Sequence, residues 1–230
     1  MTRVAIIPAR GGSKRLPKKN LLPFLGRPII VHTIEAALAT RAFERVVVST
    51  EDAQIAAISK DAGADIHVRD ASLASDAARI TDVCLAVLEG EEQAGRFHEL
   101  FACLYATAPL RRAEDILAVL ACVDSRETDF AMAVSTYPVA PHQALRFEAD
   151  GTLAAMWPDL IERRAGEVGQ LVVDNGSTYA ARIAAFREHR TFYGPRLRGH
   201  LMPRMRSVDI DEQADYELAC YYARQLEARR

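Results

Sequence analysis

The chain has 230 residues, half of them hydrophobic and 26% charged, with a formal net charge of −2. That is enough apolar material for one large core with room for an insertion. A near-neutral balance argues against wholesale binding to nucleic acid or to a membrane surface.

Taken in order, the first apolar run, 4–8, ends in a Gly-rich turn, as a buried strand does. Residues 28–40 carry Ile30, Ile34, Ala37 and Leu38 at helical spacing. RVVVST at 45–50 is a β-branched strand, and 51–62 a helix stopped by Gly63. A short strand is expected at 65–68, a helix at 81–94, a buried strand at 100–105, a helix at 112–125 and a strand at 130–137. This alternation predicts an α/β fold, a mostly parallel sheet covered by helices on both faces.

After Pro138 the regularity breaks. Asp150-Gly151 between two short segments reads as a hairpin, and 138–170 reads as a small β-containing insertion in a single domain spanning 1–230. A strand or strand pair then runs through LVVDNGSTYAAR, with a last strand at 205–210 and a terminal helix at 212–228. Cys84, Cys103, Cys122 and Cys220 show no CxxC or CxxH spacing, and three lie in apolar runs. They read as buried free thiols of a cytoplasmic protein. The apolar start is too short for a signal peptide, and no run approaches membrane-spanning length.

In an open parallel sheet, ligands bind beyond the carboxyl ends of the strands. ARGGSKRLPKKN follows the first strand and places Arg10, Lys14, Arg15, Lys18 and Lys19 around a Gly-Gly turn, with no acid before Glu35. Gly11 and Gly12 let backbone amides approach anionic oxygens, and Ser13 adds a hydroxyl. The composition suits a polyphosphate, although neither GxxxxGK[ST] nor GxGxxG is present; a solvated basic loop is the alternative. VDID at 208–211 puts Asp209 and Asp211 on one face if extended, a pair suited to Mg²⁺. The alternative for Asp211 is a cap for the terminal helix. Arg190, Arg196, Arg198, Arg204 and Arg206 read mostly as surface, and His32 as packing.

AIIPARGGSKRLPKKN resembles the N-terminal signature of the CMP-sialic acid synthetases (acylneuraminate cytidylyltransferases). The likeness continues in order through VVVSTEDAQIAAISKDAGADIHVRD, ATAPLR, DNGSTY and SVDIDEQADYELA, and is weakest over 138–170. It implies a Rossmann-like fold of the nucleotide-diphospho-sugar transferase type. The reaction implied is transfer of CMP from CTP to the 2-hydroxyl of a nine-carbon 2-keto acid sugar, releasing pyrophosphate. By resemblance, Arg10, Gly11, Gly12, Ser13 and Lys19 would hold the triphosphate, and Asn20, Arg69 and Ala78 the rest of the nucleotide. Tyr105, Arg146, Asn175 and Tyr179 would face the sugar, while Asp209 and Asp211 would bind Mg²⁺. Arg10, Lys19 and Asp211 would be the catalytic groups.

Tyr105 stands where bacterial sialic acid enzymes tend to carry Gln, and no Arg precedes the Asp-Asn-Gly of VVDNGSTY. The acceptor therefore stays open among sialic, legionaminic and pseudaminic acids. Arg146, Arg163 and Arg164 are candidates for its carboxylate. The family is commonly dimeric, and Met156, Trp157, Leu160 and Ile161 offer an apolar contact for a homodimer. The rival readings are a cytidylyltransferase for the eight-carbon acid Kdo and a non-catalytic nucleotide binder.

Overall fold

The computed structural model describes residues 1–75, 78–125 and 127–228. Its first half alternates: β1 (Arg3–Pro8), a ribbon of β2 (Pro23–Phe24) and β3 (Arg27–Pro28), α1 (Ile29–Ala39), β4 (Arg45–Thr50), α2 (Ala53–Asp61) and β5 (Asp65–Val68). There follow α3 (Ile80–Gln93), β6 (Leu100–Leu104), α4 (Ala113–Asp124) and β7 (Phe130–Thr136). The chain then makes a hairpin of β8 (Leu145–Phe147) and β9 (Leu153–Ala155), a single turn α5 (Ala165–Val168), and β10 (Val172–Arg182). It closes with α6 (Ile183–His189), β11 (Leu197–Leu201) and α7 (Gln213–Glu227).

Seven strands form one sheet in the order β11-β7-β10-β6-β1-β4-β5. β1 pairs in parallel with β4 and with β6, β4 with β5, and β7 with β11. Only β10 is reversed, lying antiparallel between β6 and β7. The sheet is thus mostly parallel, as the βα alternation predicts. Strand order turns back at β1, so a crevice opens beyond the carboxyl ends of β1 and β6.

Side chains alternate across each strand, and both faces are apolar because both are covered. Ala5 and Ile7 of β1 join Ile34 of α1, Ile55 of α2 and Ile116 of α4 in one core cluster. Val4 and Ile6 face Leu88 of α3 and Phe186 of α6 in another. A third, smaller cluster lies at the edge of the crevice. It packs Ala219 and Ala223 of α7 with Leu16 and Phe24 from the segment after β1, and with Val208 and Ile210.

Two expectations for the C-terminal part need correction. The last strand is β11, not 205–210: Arg204–Arg206 form a 3-10 turn, and 207–211 join no sheet among the described residues. One backbone bond, from Ile210 N to Thr107 O at 2.9 Å, ties that segment to the turn after β6. β11 is an exposed edge strand of sequence LRGHL, so it lacks the apolar alternation that marks a half-buried strand. Helix α6, only seven residues long, was not expected either.

The arginines of this region are mainly surface residues, and most meet an acid: Arg190 with Asp82, Arg196 with Asp129, Arg198 with Glu127, and Arg206 with Glu114 and Asp115. His32 Nε2 donates to Phe24 O at 2.8 Å and the ring packs edge-on against the Phe24 ring, a packing role. Cys84 and Cys103 are buried, Cys122 and Cys220 are half-buried, and all four are free thiols.

The pairing of β10 with β7 slips between Asp174 and Tyr179, a bulge built on Gly176 at φ +65°. A Cβ on Gly176 would lie 2.6 Å from Asp209 Oδ2, so the bulge and the Asp209 segment touch at a glycine that has to remain small. Gly176→Ala is expected to cost about 1–2 kcal/mol from backbone handedness alone, read as a lowered midpoint in urea unfolding. An unchanged midpoint would contradict this close approach.

Candidate active site

Three cavities adjoin at the crevice. The first, of about 310 Å³, is lined by Arg10, Ser13, Lys14, Arg15, Lys19, Asn20 and Asp211. The second, of about 330 Å³, shares Arg10, Lys19, Asn20 and Asp211 with it and adds Arg69, Ala78, Tyr105, Thr107 and Asp209. The third, of about 650 Å³, shares Tyr105 and Asp209 with the second and extends along Asp174, Asn175, Tyr179, Tyr193 and Arg204. Asp209 borders the second and third, and Asp211 the first and second.

The loop after β1 is anchored by its own polar groups. Asn20, buried, donates from Nδ2 to Arg10 O at 2.9 Å, and Lys18 takes a left-handed backbone at φ 52° as the chain enters a 3-10 turn. Gly11 N donates to Glu51 Oε1 at 2.7 Å, so a carboxylate from the end of β4 lies against the glycine turn. A Cβ on Gly11 would sit 2.5 Å from Asp52 Oδ2, which explains the glycine by proximity as well as by amide access. Gly12 is exposed.

Arg69 is buried at 5% exposure and donates from Nη2 to Ser49 O at 2.6 Å. Its pKa is lowered, chiefly by burial. Ala78 lines the second cavity beside it.

Val208 and Ile210 face the third core cluster, so the alternating Asp209 and Asp211 turn toward the cavities. Asp209 accepts a hydrogen bond from Thr107 Oγ1. Desolvation pushes the Asp209 carboxyl up to about 6; the Thr107 bond opposes this, and the Asp211 charge adds to it. Asp211 accepts from Lys19 Nζ at 2.8 Å and from Arg15 Nη2 at 2.7 Å. Burial alone would raise its pKa, but these two cations outweigh that and hold it below the ordinary carboxylate range.

The helix cap is made elsewhere. Asp215 Oδ2 accepts from the backbone amides of Asp211 and Glu212, both at 3.0 Å, which leaves the Asp211 carboxylate to the cavity. Asp209 and Asp211 are an oxygen-only pair facing open volume beside four cationic side chains, Arg10, Lys14, Arg15 and Lys19. Among the described residues no third His, Cys, Asp or Glu joins them in a metal-binding group. A hard divalent cation fits this donor set if phosphate oxygens and water complete its shell.

In the third cavity, Asp174 is the hydrogen-bonding centre. It accepts from Tyr179 OH at 2.9 and 3.0 Å, from Tyr193 OH at 2.6 Å and from Gly176 N at 2.9 Å. Burial raises the phenols of Tyr105 and Tyr179, and the bond to Asp174 raises Tyr193 to about 12, so all three remain protonated donors. Tyr105 lies 5.3 Å from Tyr179, ring to ring.

Asn175 lines the cavity, but its amide is engaged within the bulge, accepting from Ser177 and donating to Ser207. Arg146 lines none of these cavities; it sits on the exposed hairpin, paired with Glu148. Arg163 and Arg164 are likewise outside them and exposed.

Several groups here carried no role in the sequence reading: Glu51, Thr107, Asp174, Tyr193 and Arg204. Thr107 and Asp174 stand inside motifs that were singled out, so their neighbours were the available signal. Tyr193 and Arg204 come from a stretch whose pattern pointed only to surface.

Arg111 underlies the arrangement. It is 3% exposed, and its guanidinium donates to Tyr105 O, Ser177 O and Thr33 Oγ1. It therefore ties the turn after β6 to the β10 bulge and to α1. Desolvation lowers its pKa to about 10, since no carboxylate touches it directly.

A family model described as Cytidylyltransferase matches residues 4–149. A pseudaminic acid cytidylyltransferase of Campylobacter jejuni is 30% identical over 220 residues, covering 95% of each chain. A CMP-N,N'-diacetyllegionaminic acid synthase of Legionella pneumophila is 32% identical over 225 residues, covering 95% of this chain and 94% of its own. Among solved structures, a CMP:2-keto-3-deoxy-manno-octonic acid synthetase complexed with CTP superposes with a TM-score of 0.72 over 98% of this chain and 100% of that one. At 20% identity that likeness bears on the fold alone. With a basic glycine loop after the first strand and a family match over more than half its length, the chain belongs to the cytidylyltransferase family.

Proposed function

We propose that the protein transfers CMP from CTP to the 2-hydroxyl of a nonulosonic acid, a nine-carbon 2-keto acid sugar, and releases pyrophosphate. The observation that carries this reading is the position of Asp209, on the boundary between a cavity continuous with the basic loop and a larger, mostly neutral one. Such a boundary suits a reaction that joins a nucleotide to a second molecule of sugar size. The relatives named above act on pseudaminic and legionaminic acids, both of this chemical class.

In this reading the triphosphate lies against Arg10, Ser13, Lys14, Arg15 and Lys19, and the nucleoside against Arg69 and Ala78. The sugar hydroxyl attacks the α-phosphorus, and the bond from that phosphorus to the bridging oxygen of the β-phosphate breaks. Arg10 and Lys19 stabilise the charge that collects on the departing pyrophosphate, so catalysis is mainly positioning and electrostatics. The hydroxyl proton leaves to Asp211 or to water. Because Asp211 is held below the ordinary carboxylate range, it stays anionic at working pH, which suits holding a cation better than taking a proton. Asp209 and Asp211 would hold Mg²⁺, which when bound supplies positive charge to the reacting phosphate oxygens.

The reading includes a homodimer formed through 138–170. That segment exposes Phe147 at 78%, Leu153 at 54%, Met156 at 46% and Trp157 at 45%, an apolar surface unusual for a free hairpin. A cytoplasmic setting accords with the four free thiols and with use of CTP. No described helix is long and apolar enough to cross a membrane.

With CTP, Mg²⁺ and a panel of nonulosonic acids, pyrophosphate release is expected with at least one acid and is expected to stop on chelation. Asp211→Asn, which keeps the shape and removes the charge, is expected to lower kcat by about 100-fold or more; near-normal turnover would refute its role. Sedimentation is expected to show a dimer that Trp157→Asp together with Phe147→Asp dissociates. A fully active wild-type monomer would contradict the dimer reading.

A further inference from the structure

Arg204 is the one cation among the described residues that line the 650 Å³ cavity. The three acids there are all engaged: Asp174 by two tyrosine hydroxyls and Gly176 N, Asp209 by Thr107, and Asp215 by the amides of Asp211 and Glu212. Arg204 differs from its neighbours in sequence. Arg190, Arg196, Arg198 and Arg206 each meet a carboxylate, whereas the Arg204 guanidinium has no ion-pair or hydrogen-bond partner among the described residues.

Its mounting is firm all the same. Met202, two residues before, is 1% exposed, and Arg206, two residues after, is clamped to Glu114 and Asp115 at 2.7 and 2.6 Å. The intervening 3-10 turn is thus pinned on both sides, with Pro203 limiting φ at its entry.

Resting on the proposed reaction, we infer that Arg204 binds the carboxylate of the acceptor and makes the enzyme selective for sugar acids over neutral sugars. The chemistry of the acceptor supports this. In the ring form of a 2-keto acid sugar, the carboxylate and the 2-hydroxyl are both attached to C2. Whatever holds the carboxylate also fixes the nucleophilic oxygen, so its partner belongs in the cavity that Asp209 borders. A guanidinium matches a carboxylate in two parallel hydrogen bonds and supplies full charge. The cations of the loop after β1 line the other two cavities instead, where Lys19 and Arg15 already bond Asp211. Arg146, Arg163 and Arg164, the sequence candidates for this task, do not line the cavity.

The test compares the acid with its 1-carboxamide in wild type, Arg204→Gln and Arg204→Lys, with binding followed by calorimetry and turnover by pyrophosphate release. Wild type should prefer the acid by roughly 10- to 100-fold, the range of a hydrogen bond to a charged group. Arg204→Gln should lose most of that preference, with KM for the acid rising by a similar factor and CTP affinity unchanged. Arg204→Lys should recover part of it. Equal binding of the acid by wild type and Arg204→Gln would overturn the inference. Wild type that binds the acid but releases no pyrophosphate would refute the reaction and leave the Arg204 contact standing; wild type that binds no acid would refute both.

Discussion

The site depends on one seam, where residues 208–211 dock against the turn after β6. Val208 and Ile210 are buried with Leu16, Phe24 and Ala219 in the third core cluster, and Ile210 N donates to Thr107 O. The hydrophobic burial fixes which way this segment faces, and the hydrogen bond fixes its register. With alternate residues turned inward, Asp209 and Asp211 have one direction left, toward the cavities. The same cluster contains Leu16 and Phe24 from the segment after β1, so the apolar residues that orient the aspartates also draw the basic loop toward them. Two polar motifs almost two hundred residues apart therefore meet through a small hydrophobic core.

Electrostatics then separates the two aspartates. Asp211, bonded to Lys19 and Arg15, is stabilised as an anion, whereas Asp209, more deeply buried and close to Asp211, is pushed up to about 6. Lys19 and Arg15 bond Asp211, while Asp209 accepts from Thr107. Asp209 and Asp211 would together hold a divalent cation, whose positive charge would favour the ionised form of Asp209. Glu51 plays the opposite part at the other end of the loop, where its carboxylate takes the Gly11 amide that the sequence reading assigned to phosphate. A triphosphate bound there would compete with Glu51 for that amide.

Much of the fold was legible because both faces of a parallel sheet are buried. β1, β4, β6 and β7 read as short apolar or β-branched runs between turn residues, and α1 to α4 as periodic segments between them. Legibility failed where burial is partial. β11 is an exposed edge, α6 has too few residues to show a period, and 207–211 alternates like a strand without pairing as one. In the site, Arg10, Lys19, Asp209 and Asp211 stood out by charge beside a glycine turn, Asn20 only through the family resemblance, and the structure brings all five to adjoining cavities. Asp174, Tyr193 and Arg204 were not legible, since single polar residues become a cavity wall only after β10 bulges and the 3-10 turn folds back. Arg146 shows the converse: an arginine in a plausible place in sequence, on a hairpin that stays outside the cavities.

The central claim is spatial: the α-phosphorus of CTP and the acceptor's 2-hydroxyl meet at Asp209. The most direct measurement is a crystal structure of the protein with a non-hydrolysable CTP analogue and the acceptor acid. The account predicts the triphosphate against the Arg10–Lys19 loop, the sugar in the cavity lined by Tyr105 and Tyr179, and the two reacting atoms about 3–3.5 Å apart beside Asp209. A nucleotide bound elsewhere, or a sugar whose 2-hydroxyl is turned away from Asp209, would contradict it.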